Sequence, residues 1–213
     1  MRDLFFFFLQ SSQPLTREQV CLVLWPEIEE PERQKLRFKN DLYRLRRAVG
    51  QKVILFEDEH YRFNRDLDYE YDVEAFDAYI KQAHSADETA EKIQAYRKAI
   101  ALVEGPYLQD IDATWAWPER ERLNRAYLSA LLALAELYLQ SGQTGEAITL
   151  AQRALEWDSC LEEAHRLLMR AYARQGDRPA IVRQYRTCKD TLRTELDVSP
   201  SPETERLYRR LTA

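Results

Sequence analysis

Shifted by 34 residues, the later part of this chain falls on itself. Leu134 lands on Leu168, Ala135 on Met169, Tyr138 on Tyr172, Gly142 on Gly176, Ala147 on Ile181, Ala151 on Tyr185 and Ala154 on Cys188. With five glycines in 213 residues, a matched glycine pair among six other matched positions is more than composition supplies. Each unit reads as two helices around a glycine, with small or apolar groups at equivalent places. Such a unit has only the next unit against which to bury its apolar face, so the pattern predicts stacked helical pairs. Helices are expected over Val73–His84, Asp87–Val103, Pro118–Gln140, Gly145–Trp157, Leu161–Arg174 and Pro179–Leu196, with a last turn or two from Pro202. The period is that of tetratricopeptide helix pairs, and IQAYRKAIAL within Asp87–Val103 resembles the second helix of an earlier, degenerate pair. The exception is Glu104–Trp117, a Gly-Pro-broken, aromatic-rich loop expected to be packed down.

The first part of the chain follows a different logic. Residues 1–64 carry eleven Lys/Arg against ten Asp/Glu, whereas residues 65–213 carry twenty against twenty-six. The positive charge is concentrated in PERQKLRFKNDLYRLRRAVG, Pro31 to Gly50. There Phe38, Leu42, Leu45 and Val49 recur at helical spacing as one apolar stripe. Around it stand Arg33, Lys35, Arg37, Lys39, Arg44, Arg46 and Arg47, with Asp41 the one acid between Arg33 and Arg47. A cationic helix held by a narrow apolar seam suits a polyanion, although a solvated face would look the same on charge alone.

Before it, Arg2–Ser11 reads as a helix apolar on nearly every side, because Phe6 and Phe7 oppose Leu4, Phe5, Phe8 and Leu9. Either a preceding segment of a longer protein or the second module is expected to cover them. Thr16 and Gln19 have capping-box spacing for a helix over Arg17–Trp25. Pro31 suits the first turn of the basic helix and Gly50 its C-cap. Val53–Phe56 and Tyr61–Phe63 flank the polar turn EDEH as a hairpin. Three helices and then a hairpin is the winged-helix order, in which the third helix enters the major groove.

These residues carry a resemblance. YRLRRAVG followed by HYRFN resembles the recognition helix and wing of OmpR-type winged-helix domains. TREQVCLVLWP resembles the preceding helix in bacterial SARP-type activators. EGPYLQD, WPERERL, EEAHRLLMRAYARQG and RQYRTCKDTLRTELDVSPSPET resemble the bacterial transcriptional activator domain of the same regulators. The chain departs from that pattern by starting at the first helix, without the usual leading sheet, and by placing His60 where the wing commonly has glycine. The resemblance implies a mainly α protein, with a winged helix-turn-helix lacking its N-terminal sheet over residues 1–66 and a tetratricopeptide-like activator domain over residues 67–213. It implies a transcription regulator that binds double-stranded DNA, as a homodimer on repeated half-sites, and that contacts RNA polymerase. By the same match, Asn40, Asp41, Tyr43 and Arg44 fall where base or groove contacts are expected. Arg46 and Arg47 then suit phosphates, Arg37 and Lys39 flank the helix entry, and Arg62 on the wing suits a minor-groove or backbone contact. One of these cations is expected to pair with Asp41 or an acid of the preceding loop.

Other function classes find little in the residues. His60, His84 and His165 have no partner at a catalytic spacing, and no glycine-rich phosphate loop occurs, so neither an enzyme nor a bound cofactor is expected. His165 takes a core-facing repeat position and reads as a buried, satisfied side chain. Cys21, Cys160 and Cys188 lack CxxC spacing and read as reduced core residues rather than metal ligands. Tyr107, Trp115, Trp117 and Trp157 could line a ligand pocket, with core packing the stronger expectation. No apolar run reaches the roughly 18 residues of a membrane helix, and LFFFFL lacks the flanks of a signal peptide; a cytoplasmic location is expected. Two other readings remain: a protein–protein scaffold that uses the concave repeat surface, and the effector half of a larger signalling protein.

Overall fold

The computed structural model describes all residues, Met1–Ala213. The elements in order are α1 (Arg2–Gln10), α2 (Arg17–Leu24), α3 (Pro31–Val49), β1 (Ile54–Glu57), β2 (His60–Phe63), α4 (Asp72–Ser85), α5 (Thr89–Ala101), α6 (Trp117–Gln140), α7 (Thr144–Trp157), α8 (Glu162–Gln175), α9 (Arg178–Leu196) and α10 (Pro202–Thr212), with a 3-10 turn at Thr114–Ala116. They form two compact units, Met1–Glu70 with Tyr107–Glu121, and Tyr71–Pro106 with Arg122–Ala213.

The first unit is a winged helix. Leu4, Phe8 and Leu9 of α1, Val20 and Cys21 of α2, Phe38, Leu42 and Leu45 of α3, and Ile54 and Phe63 of the hairpin are all buried. The Thr16 hydroxyl accepts from the Gln19 amide, and the Gln19 side chain accepts from the Thr16 amide, so α2 starts in a full capping box. Gly50 ends α3 at φ +116°. Val49, expected in the apolar stripe, is instead 54% exposed, because the last turn of α3 runs past the core. Leu15, between α1 and α2, exchanges two backbone hydrogen bonds with Tyr61 (2.9 and 2.7 Å), adding a third edge to the wing.

Segment 107–121 supplies cover for α1. Trp115 meets Phe7 edge-on at 5.5 Å, and Arg2 donates to the Asp110 carbonyl at 3.0 Å. Arg120 gathers the carbonyls of Tyr107, Leu108 and Ile111 at 2.7–3.0 Å, which closes the loop on itself. Trp115 lies on Phe7, Trp117 is half-exposed, and Trp157 packs on Tyr127 in the other unit.

The wing turn is Asp58–Glu59, both with positive φ (47° and 63°), between the paired residues Glu57 and His60. This is the two-residue hairpin turn that favours Asn-Gly. His60 is therefore the first residue of β2 rather than part of the turn. The double substitution Asp58→Asn/Glu59→Gly should stabilise the first unit by about 1 kcal/mol by relieving the left-handed backbone; urea unfolding with a probe in that unit checks it.

In the second unit the 34-residue repeat is written in the backbone. Gly142 and Gly176 both take positive φ, 82° and 73°. The hydrogen bonds around them also correspond: Gln143 N to Tyr138 O at 2.8 Å matches Asp177 N to Tyr172 O at 3.0 Å, and Thr144 N to Gly142 O at 3.0 Å matches Arg178 N to Gly176 O at 3.1 Å. Glu136 and Arg170, which occupy one repeat position in successive units, form a bidentate ion pair (3.1 and 2.6 Å). Ala135, Ala147, Ala151, Ala154, Ala164 and Ala171 are fully buried, letting the helix backbones approach. Phe76, Tyr127, Leu131, Leu134, Leu167 and Leu168 fill the core between them.

His165 is buried, with Nε2 3.0 Å from the Ser159 carbonyl and Nδ1 2.6 Å from the Gln184 amide nitrogen. One ring nitrogen donates and the other accepts, the arrangement of a neutral imidazole. Burial lowers its pKa from 6.5, against the Ser159 hydrogen bond and the Glu162 charge. A lowered folded pKa means that the unfolded chain takes up the proton first, so stability falls as pH drops below about 6.5. Urea midpoints should decline from pH 7 to pH 5, and His165→Gln should flatten that decline.

Candidate nucleic-acid interface

The seven cations of α3 are not equivalent. Four of them are engaged within the protein. Arg33 pairs with Glu30 at 2.7 Å, and Lys35 lies 3.9 Å from Glu32. Arg37 pairs with Asp41 at 3.2 Å and lies over the Trp25 ring at 5.6 Å. Arg46 is half-buried and donates to the Ile54 carbonyl at 2.8 Å, tying α3 to the wing.

Lys39, Arg44 and Arg47 are exposed and make no ion pair. At 100° per residue they share an arc of roughly 140° with Leu36, Asn40 and Tyr43, opposite the buried Phe38, Leu42 and Leu45. Tyr43 is 62% exposed. Amphipathic spacing thus presents three free cations, an amide and a phenol along one side. That set can bind phosphate oxygens and the hydrogen-bonding edges of bases.

Four of the residues expected in this role, Arg37, Asp41, Arg46 and Arg62, are engaged within the protein. Asp41 is only 2% exposed, on the flank of the apolar stripe, with its carboxylate held by Arg37 and by the Met1 amino group at 3.1 Å. It therefore orients Arg37 and is withdrawn from the groove face. Arg46 is committed to the α3–β1 contact through its bond to the Ile54 carbonyl. Arg62 on β2 is bonded to Glu57 at 3.1 and 3.3 Å, so its charge is partly neutralised across the wing. The sequence reading missed Leu36, an exposed apolar residue one turn before Asn40; its position outside the stripe was the available signal.

No helix is long and apolar enough to cross a membrane. Residues 71–212 match the model of the family described as the bacterial transcriptional activator domain. Two curated relatives, both named regulatory protein AfsR, are 24% identical over 208 residues (Streptomyces griseus) and 23% identical over 206 residues (Streptomyces coelicolor). Each match covers 95% of this chain and 21% of the relative, so the chain spans about a fifth of their length. Among solved structures, Mycobacterium tuberculosis EmbR in complex with a low-affinity phosphopeptide superposes with a TM-score of 0.84 at 21% identity, covering 99% of this chain and 58% of that one. The family match takes in nearly all of the second unit together with segment 107–121 of the first. The chain belongs to the bacterial transcriptional activator domain family.

Proposed function

We propose that this chain binds double-stranded DNA through the exposed face of α3 and regulates transcription from the bound site without catalysis. The observation that carries the reading is the sorting of the α3 cations: four are engaged within the protein, while Lys39, Arg44 and Arg47 share one uncommitted face with Asn40 and Tyr43. In this reading Asn40, Tyr43 and Arg47, along the middle of that face, meet base edges, and Lys39 and Arg44, at its two edges, hold phosphates. The division of labour falls between residues 1–66, which read DNA, and residues 67–213, which make dimer and RNA polymerase contacts. The family match favours that second role. A cytoplasmic location follows from the function.

Fluorescence anisotropy on a pool of random duplexes, titrated with salt, tests the DNA-binding step. Neutralising two or more phosphates gives a log–log slope of about −2 or steeper. A flat salt response, or no binding at low salt, would refute it and leave the repeat unit as the acting part.

A further inference from the structure

Apart from its polar groups, the exposed face of α3 carries one aliphatic side chain. Leu36 is 59% exposed and lies on the far side of the helix from Phe38, Leu42 and Leu45, so it adds nothing to the core. Leu36, Asn40, Tyr43 and Arg47 fall within roughly 60° of one another at 100° per residue, along the centre of the face, with Lys39 and Arg44 at its two edges. A helix in the major groove has bases ahead of its central line and a phosphate strand on either side. The central line is therefore where base recognition belongs.

The apolar group that the major groove offers is the C5-methyl of thymine. An isobutyl side chain has no hydrogen bond to give or accept, so packing on that methyl is the contact that it can make there. Four residues of helix rise about 6 Å, and base pairs are spaced by about 3.4 Å, so Leu36 reaches a pair one or two steps from the one that Asn40 meets. Asn40 has no partner within the protein, and its amide matches the N6 and N7 edge of adenine. We propose that Leu36 is a specificity-determining residue, packing on the methyl group of a thymine one or two base pairs from the adenine bound by Asn40. This rests on the reading of α3 as the DNA-binding element.

The test begins with selection of a preferred site from random duplexes. Each thymine of that site is then replaced singly by deoxyuridine, which removes only the methyl group, and each adenine by 7-deazaadenine, which removes N7. One deoxyuridine position should weaken binding by about 3- to 5-fold and should have no effect on Leu36→Ala. It should lie one or two pairs from the adenine whose 7-deaza form weakens the unaltered chain but not Asn40→Ala. Both positions are exposed on a helix, where alanine preserves helicity; circular dichroism verifies that. In the same selection Leu36→Gln should exchange the thymine preference for adenine. Equal deoxyuridine effects in the unaltered chain and Leu36→Ala, at every position, would overturn the assignment of Leu36 while leaving DNA binding intact. A pool that yields no site at all would overturn the DNA-binding reading, and this one with it.

Discussion

Replacing Lys39, Arg44 and Arg47 together by alanine is expected to lower affinity for duplex DNA by on the order of 10²- to 10⁴-fold at moderate salt and to flatten the salt dependence by about two counterions, one per lost phosphate contact. The three side chains are exposed and make no ion pair, so their loss leaves the apolar seam of α3 untouched, and alanine favours the helix. The folded state should be as stable as before. Arg46→Ala makes the opposite separation. Its guanidinium donates to the Ile54 carbonyl from a half-buried position, and removing it should cost about 1–3 kcal/mol of first-unit stability, with DNA affinity per folded molecule little changed. Anisotropy titrations alongside urea unfolding distinguish the two outcomes. A triple variant that unfolds, or one that binds DNA normally, would contradict this sorting of the α3 cations.

The largest effect on stability is expected in the repeats. Leu134 and Leu168 occupy one position in successive units and are 2% and 1% exposed. Truncating either to alanine removes the same buried methyl groups from the same kind of inter-helix site, at a cost of about 2–5 kcal/mol each. If the two units are structural equivalents, the costs should agree to within about 1 kcal/mol, the spread that local relaxation allows. Chemical denaturation of the two single variants measures this, and a several-fold disparity would mean that the repeat is symmetric in backbone but not in packing.

Much of this was legible in the residues because backbone geometry demanded particular side chains. The glycines at 142 and 176 mark the left-handed positions between helices, Thr16 and Gln19 mark a helix start, and small residues at 147, 151 and 154 mark close helix contacts. These signals are local and survive any tertiary arrangement. What escaped was set by tertiary context. A cation pairing with Asp41 is expected from the sequence, and Arg37 four residues before it is that cation; what spacing does not reveal is that Asp41 flanks the buried stripe, 2% exposed, instead of reaching a groove. Arg46 and Arg47 are adjacent and identical in sequence, and only the position of the hairpin separates a tether from a free cation. The cover for Phe7 comes from Trp115, more than a hundred residues away along the chain, where no periodicity could point. Leu36 was passed over because an isolated exposed leucine is ordinary; its company on the cationic face gives it meaning.

On the proposed function, one face of α3 meets DNA. Backbone amide chemical shifts, recorded while a selected duplex is titrated in, test it most directly. The largest changes should fall on Leu36, Lys39, Asn40, Tyr43, Arg44 and Arg47, with Phe38, Asp41, Leu42 and Leu45 much less affected. Changes concentrated on the repeat helices, with α3 unmoved, would contradict it.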